Sequence, residues 1–423
     1  MTRRLRNLVI LFAFAACDDV TGPDGGPDDP GPEPVGSGAI VSCESGSAAG
    51  FPCDRVDLLA HITLLELDPT RDNLTDLTDV WGWTDPSTGN EYALVGRDDG
   101  LAIVDVTDPV NPVPLAHLPS AAPPSGWRDV KVYADHAFVV ADNAPGHGIQ
   151  ILDLTRLRGL EEFTVLDADA RYTEVSSVHN IAIDEETGFA YSLGNNAGGN
   201  TCGGGLHMID IRNPTSPVFA GCYAETGTGF AGTGYTHDAQ CVVYGGPDAA
   251  HQGREICFGS NETAIVIADV TDKSAPQVLS TGSYPDVGYV HQAWLTEDHR
   301  YLFQNDEADE VMGLTPSTRL LVWDVTDLED PILVTEHLGP TGAIDHNLYV
   351  RGDVLYHSNY TFGIRILDVS DPTNPVERGF FDTHPESDSP SFRGSWSNYP
   401  YFESGTIVVT SAREGLFLLR LQP

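Results

Sequence analysis

The sequence predicts an all-β fold, a seven-bladed β-propeller closed by an N-terminal strand in its last blade. Two interleaved series of strands and their spacing carry that prediction. Seven polar pairs each open a short apolar strand: Thr78-Asp79, Arg128-Asp129, His179-Asn180, His237-Asp238, His291-Gln292, His346-Asn347 and Ser397-Asn398. Six later strands alternate apolar residues and end in Asp, among them LAIVDVTDP (101–109), LHMIDIRNP (206–214) and IRILDVSDP (364–372). The two series interleave one to one, and the motif Asp residues lie 44 to 59 apart. A seventh later strand, LFLLRL (416–421), follows Ser397-Asn398 without the Asp. A period of that length with several short strands per copy marks propeller blades.

The sixth repeat shows how one blade is built. Strand A starts at His346, a turn at Arg351-Gly352-Asp353 reverses it, and strand B covers 354–360. Gly363 opens strand C, and Asp371-Pro372 with Asn374-Pro375 turns the chain into strand D, VERGFF. Proline fixes φ and removes an N–H donor, so pairing stops there. The Asp that closes strand C is expected to cap this turn with its carboxylate, a scaffold role rather than a catalytic one. After Arg420 only three residues remain, so the last blade lacks a strand D. Residues 58–64 resemble the first blade's own strand D, and residues 57 to 66 are expected to supply the missing strand, which removes free sheet edges.

Composition narrows the setting. The formal charge is −40, with 62 acidic residues against 22 basic, and Lys131 and Lys273 are the only lysines. Such a field repels phosphate backbones and argues against nucleic-acid binding. Arg3, Arg4 and Arg6 followed by the apolar run Leu8–Ala16 read as an export signal, residues 1–17, too short to span a bilayer. It ends in Phe14-Ala15-Ala16-Cys17, so either Cys17 is lipidated as in a bacterial lipobox or a secretory signal is cut near Ala16. Residues 18–40 are Pro, Gly and Asp with almost nothing apolar and read as a disordered tether, followed by a Cys-linked loop (41–55) and the propeller (56–423).

Six further cysteines fit an oxidising compartment. If His237 faces Asn261 across a hairpin, Cys241 faces Cys257 by the same register. Cys43-Cys53 would close a small loop, and Cys202-Cys222 follows by elimination. A metal cluster competes for these thiols, but no CxxC occurs.

The strand openings and the LVIVD-like strands together, in SSVHNIAID (176–184), YTHDAQCVVY (235–244), YVHQAWLTEDHRYLFQNDEADE (289–310), DHNLYV (345–350) and SNYTFGIRILDVSDP (358–372), resemble the bacterial LVIVD-repeat proteins, specifically the group named choice-of-anchor B. The resemblance covers all but the leader, tether and first Cys loop. It implies a cell-surface or extracellular β-propeller, with lipidated Cys17 as the attachment device and an N-terminal lipid anchor as the sole membrane contact. It implies no particular reaction.

Topology points to a site. In a four-stranded blade the start of strand A and the end of strand B share a face beside the channel. His179, His237, His291 and His346 start strand A in four successive blades, and the B strands there end in Asn195-Asn196, Asn261-Glu262, Asp306-Glu307 and Asn359. The first two blades add Asp79, Asp98, Asp99, Arg128, Asp129, Asp142 and Asn143. The four His with Glu262, Asp306 and Glu307 are candidate ligands of a divalent metal, and Arg128, Asp129, Asp142, Asn195, Asn261 and Asn359 are candidate ligand contacts. The acidic run 306–310 is alternatively a Ca²⁺ site, without EF-hand spacing. A clamp role competes, because repeated His near strand starts can hydrogen-bond backbone between blades. Thr78, Arg128 and Ser397 replace His in three blades, whereas a pure clamp should recur in all seven.

No GxSxG or HExxH occurs, and the Gly-rich stretch 194–205 lacks the Lys of a phosphate loop. Trp81, Trp83, Trp127, Trp294 and Trp396 are placed beside the strand A starts, for packing between blades or for stacking on sugar or peptide. The reading is a cell-surface or extracellular binding or scaffold module for an unidentified ligand, with its site at the channel mouth. The alternative is a metal-dependent hydrolase or lactonase, with a metal-activated water and Glu262 or Glu307 as base.

Overall fold

Seven antiparallel sheets follow one another along the chain in the computed structural model, which describes residues 38–70 and 75–423. The export segment, Cys17 and most of the 18–40 tether lie outside those residues. Strand A runs Leu77–Thr84, Arg128–Tyr133, Asn180–Asp184, Asp238–Val243, Val290–Leu295, Leu348–Arg351 and Ser395–Tyr399 in blades one to seven. Each A strand touches the A strands on both sides, and blade seven meets blade one, so the ring is closed.

Closure uses Val56–Ile62, which pairs antiparallel with Gly415–Leu421 as the missing strand D. The strand stops at Ile62 rather than residue 66. There the Glu66 carboxylate accepts bonds from the Thr63 N–H (2.9 Å) and hydroxyl (2.8 Å) and folds the chain into a turn. The cysteine loop is also part of the ring. Cys53 and Asp54 pair with Phe381 and Phe380 at the outer edge of blade six. One N-terminal segment therefore ties blade six to blade seven.

The apolar alternation of the strands is explained by seven core clusters, each shared by two successive blades. Phe417, fully buried between blades six and seven, packs on Phe51 and Phe381 at ring separations of 5.2 and 5.9 Å. Truncating such a ring to Ala costs roughly 3–5 kcal/mol.

The expected turn caps are present in six blades. Asp105, Asp153, Asp210, Asp269, Asp324 and Asp368 each accept a hydrogen bond from the backbone N–H two residues on, at 2.8–3.1 Å. Blade two departs from the plan because it lacks the Pro-bearing turn. Its chain forms a short 3₁₀ turn at Leu154–Leu157, runs Thr164–Val165 parallel to the edge of blade one, and returns as Ala170–Tyr172. All three disulfides form as the register and elimination argument expects: Cys43–Cys53, Cys202–Cys222 and Cys241–Cys257. Among the described residues no helix is long and apolar enough to cross a membrane.

Candidate metal centre at the histidine mouth

Strand irregularity frees the polar pairs to face the channel. In blades three and four the regular strand begins one residue after His179 and His237. In blade five a bulge between Val290 and Ala293 takes His291 and Gln292 out of the ladder. Members of both positions, Asp79, Asn180 and Asn347 with the four histidines, meet at this mouth.

The four imidazoles form a continuous arc. Ring centroids are 4.3 Å apart from His179 to His237, from His237 to His291, and from His291 to His346. His237 donates from Nδ1 to the carbonyl of His291 at 2.9 Å, and His346 Nδ1 donates to the carbonyl of Trp396. A carbonyl oxygen only accepts, so these rings carry their proton on Nδ1 and present an Nε2 lone pair.

Glu307 lies on the Nε2 side of His291 and His346. Its carboxylate oxygens lie 3.7 Å from His291 Nε2 and 3.5 Å from His346 Nε2. Those separations exceed a normal hydrogen bond. Two ligand atoms about 2.1 Å from zinc at a tetrahedral angle would be about 3.4 Å apart. His237, His291 and Glu307 offer ligand atoms within 4.8 Å of one another. A cavity of about 20 Å³ is lined by the four rings together with Asp79, Trp127, Arg128, Asn180, Asn347 and Trp396, and Glu307 is not among its lining residues. On this measure a water needs about 10–15 Å³, so this cavity beside the arc has room for about one water.

Electrostatics favours ligand protonation states. Burial holds His237 and His291 well below the usual imidazole range and His346 at about 3, so all three are neutral. Burial pushes Glu307 up to about 7, against the Tyr360 hydroxyl that donates to it at 2.8 Å. His179 differs. Burial would lower it, but the Asp142 carboxylate, 2.9 Å from Nδ1, wins and raises it. Burial likewise opposes ionisation of Asp142, yet the bonds from His179, Asn143 and Ser177 hold it at about 2. His179 and Asp142 are thus an ion pair flanking the arc, not part of the three-ligand group.

The other candidates are near the mouth but engaged elsewhere. Asp306 accepts from Tyr284 Oη (2.7 Å) and from the backbone of Gly288 (2.8 Å) and Tyr289 (2.5 Å), holding the loop beneath His291. Glu262 accepts from Phe230 N at 2.7 Å. Asn195 bonds within its own loop to the Ser192 carbonyl, and Asn261 donates to the Thr228 hydroxyl in the connection entering blade four. Asp129 accepts from Ile181 N of the next blade at 2.9 Å and from Lys131 Nζ at 2.6 Å, a clamp inside the channel. Arg128 donates to Ser120 Oγ at 2.6 Å and to the Asp98 carbonyl at 3.1 Å. Asn359 is fully buried, with no hydrogen bond to its amide among the described residues.

Lys131 is the residue that sequence reading passed over. Its ammonium lies 3.9 Å from Asp79, and the Asp129 charge, with Asp79 and Asp238, keeps it protonated against burial. One of only two lysines, on an inner strand two residues after a repeated Asp, was the available signal.

Fold and repeats together define a seven-bladed β-propeller containing LVIVD repeats. Those repeats match at residues 88–115, 202–225 and 346–383, the last beginning at His346. No curated protein matches the chain. Among solved structures it is similar to the β-propeller domain of Cps50 (Swd1) from Myceliophteria thermophila, with a TM-score of 0.54 and 11% identity over 82% of this chain and 96% of that one. It is also similar to a protein from Lactobacillus plantarum, with a TM-score of 0.51 and 13% identity over 79% of this chain and 89% of that one. At these identities the likeness is one of fold.

Proposed function

We propose that this propeller is a surface or extracellular binding module that holds a divalent transition metal at its histidine mouth. His237 and His291 bind through Nε2 and Glu307 through a carboxylate oxygen, with His346 as the adjacent fourth donor. The convergence of His237, His291 and Glu307 carries the reading. Neutral nitrogens with one carboxylate suit zinc-class ions rather than Ca²⁺. The rings beside the group, Tyr289 and Tyr360, shape what approaches the metal from outside.

Metal analysis of purified protein tests this. Stoichiometric metal in the wild type and its loss in both His237→Ala and His291→Ala is the expected result. Metal-free wild type, with variants that only melt earlier, would leave the arc as a clamp alone.

Membership of the choice-of-anchor B group and anchoring through Cys17 belong to the same proposal. The basic leader, the Phe14-Ala15-Ala16-Cys17 junction and the three disulfides support it. Mass analysis of the mature N-terminus distinguishes a lipidated Cys17 from a plain cut near Ala16.

A metal-dependent hydrolase or lactonase is the second reading: burial pushes the Glu307 carboxyl up to about 7, and in this reading Glu307 serves as base while the histidines alone hold the metal. Turnover of a lactone or ester panel that disappears in the two His variants would establish it.

A further inference from the structure

The opposite mouth of the channel is built differently. The ends of the A strands and the A–B turns line two cavities of about 370 and 600 Å³, which share Trp81, Val132, Glu185 and Trp294 and so form one funnel. Its walls are aromatic. Trp81 lies 5.2 Å from Tyr399 and 5.7 Å from Tyr349, and Trp294 lies 4.9 Å from Tyr349. Tyr401 closes the group at 5.4 Å from Tyr399. Trp81, Trp294, Tyr399 and Tyr401 are each partly exposed to the funnel. Gly82 makes this arrangement fit, because a Cβ there would meet the Tyr399 ring at 2.1 Å.

The charge around these rings is negative. Asp135, Asp184, Glu185, Glu186, Asp238 and Glu297 line the funnel, and Lys131 at its floor is the one ammonium or guanidinium among the lining side chains. That charge is already answered by Asp129 at 2.6 Å. Lys131 Nζ also lies 4.6 Å from the Trp81 ring centroid, so the cluster already holds one ammonium against an indole.

We infer that this funnel is a second binding site, for a small organic cation with a quaternary or alkylated ammonium head. Aromatic faces attract such a head through their quadrupole and bury its weakly hydrated methyl groups, while the carboxylates supply long-range attraction. An anionic ligand would meet a wall lined by acidic side chains, so a phosphate or carboxylate guest is disfavoured. The site is separate from the histidine mouth: its lining residues do not include the imidazoles of the arc.

The test is titration of the full chain with choline and with its neutral isostere 3,3-dimethylbutan-1-ol, read by tryptophan fluorescence and calorimetry. Choline is expected to bind roughly five- to thirty-fold more tightly than the isostere, in line with a cation–π contribution of about 1–2 kcal/mol. Trp294→Leu should weaken choline by a similar factor. The exposed Glu185→Gln should weaken it a few-fold at low salt and not at high salt, and a melting curve shows that each variant is folded. His291→Ala should leave choline affinity unchanged, which separates this result from the metal reading. Equal binding of the isostere, preference for neutral sugars, or no choline binding to folded wild type would each overturn the inference.

Discussion

His237 Nδ1 donates to the carbonyl oxygen of His291, 2.9 Å away, and this one bond joins blade packing to the chemistry of the mouth. The bond ties blade four to blade five and fixes the tautomer of His237. A clamp and a ligand are therefore two ends of the same ring. His346 repeats the device toward Trp396 of blade seven.

Metal should stabilise the folded protein by mass action. At a free concentration of 100 Kd the gain is about 2.7 kcal/mol. Glu307→Gln keeps an acceptor for the Tyr360 hydroxyl but removes the charge, so metal-free melting should stay near wild type while the metal-dependent rise disappears. Thermal scans with and without added zinc check this.

Acid should weaken the fold through histidines buried as neutral rings. Burial and Arg128 hold His147 at about 4, and burial with Arg365 holds His357 at about 3. Both folded values lie below the unfolded 6.5, so the unfolded chain takes up protons first as pH falls. Their contribution is complete above pH 6.5 and is lost between there and about 3. His357→Leu should flatten that part of a stability-against-pH curve relative to wild type.

The His384–Glu414 pair should behave in the opposite sense. Its Nδ1–carboxylate distance is 2.7 Å, and the hydrogen bond that His384 donates to Glu414 raises it above 6.5 despite burial. Its stabilisation is complete below pH 6.5 and is lost as pH rises through the raised value. The difference in melting temperature between wild type and His384→Gln should be larger at pH 6 than at pH 9.

Beneath blade five, Arg319 Nε donates to buried Asp309 at 2.7 Å. Arg319→Met leaves that carboxylate unpaired and should cost about 3–5 kcal/mol in denaturant unfolding. Burial and the Asp309 charge push neighbouring Glu310 far up, so it stays protonated when folded. Its folded value exceeds the unfolded one, so wild type loses stability as pH rises past 4.5. Glu310→Gln should be close to neutral near pH 4 and increasingly more stable than wild type toward pH 8.

Repetition made most of the fold legible. Interleaved polar pairs and Asp-terminated strands counted the blades, and hairpin register paired Cys241 with Cys257. What depended on direction across the channel was harder to read. Trp81 and Trp294 follow Thr78 and His291 by only three residues, yet a strand advances about 3.3 Å per residue. Three residues carry the side chain roughly 10 Å along the channel, toward the opposite mouth. Asp306 and Glu307 are adjacent in sequence, but one holds a loop and the other faces the imidazoles, because neighbours on an extended chain point apart. The excursion of blade two had no marker beyond the absence of any proline between Asp153 and His179.

The most direct test is a crystal structure of zinc-loaded protein with anomalous data at the metal edge. A single peak about 2.0–2.2 Å from His237 Nε2, His291 Nε2 and a Glu307 oxygen is the predicted result. An arc without a peak at full zinc occupancy elsewhere in the crystal, or metal bound only outside these three residues, would contradict it.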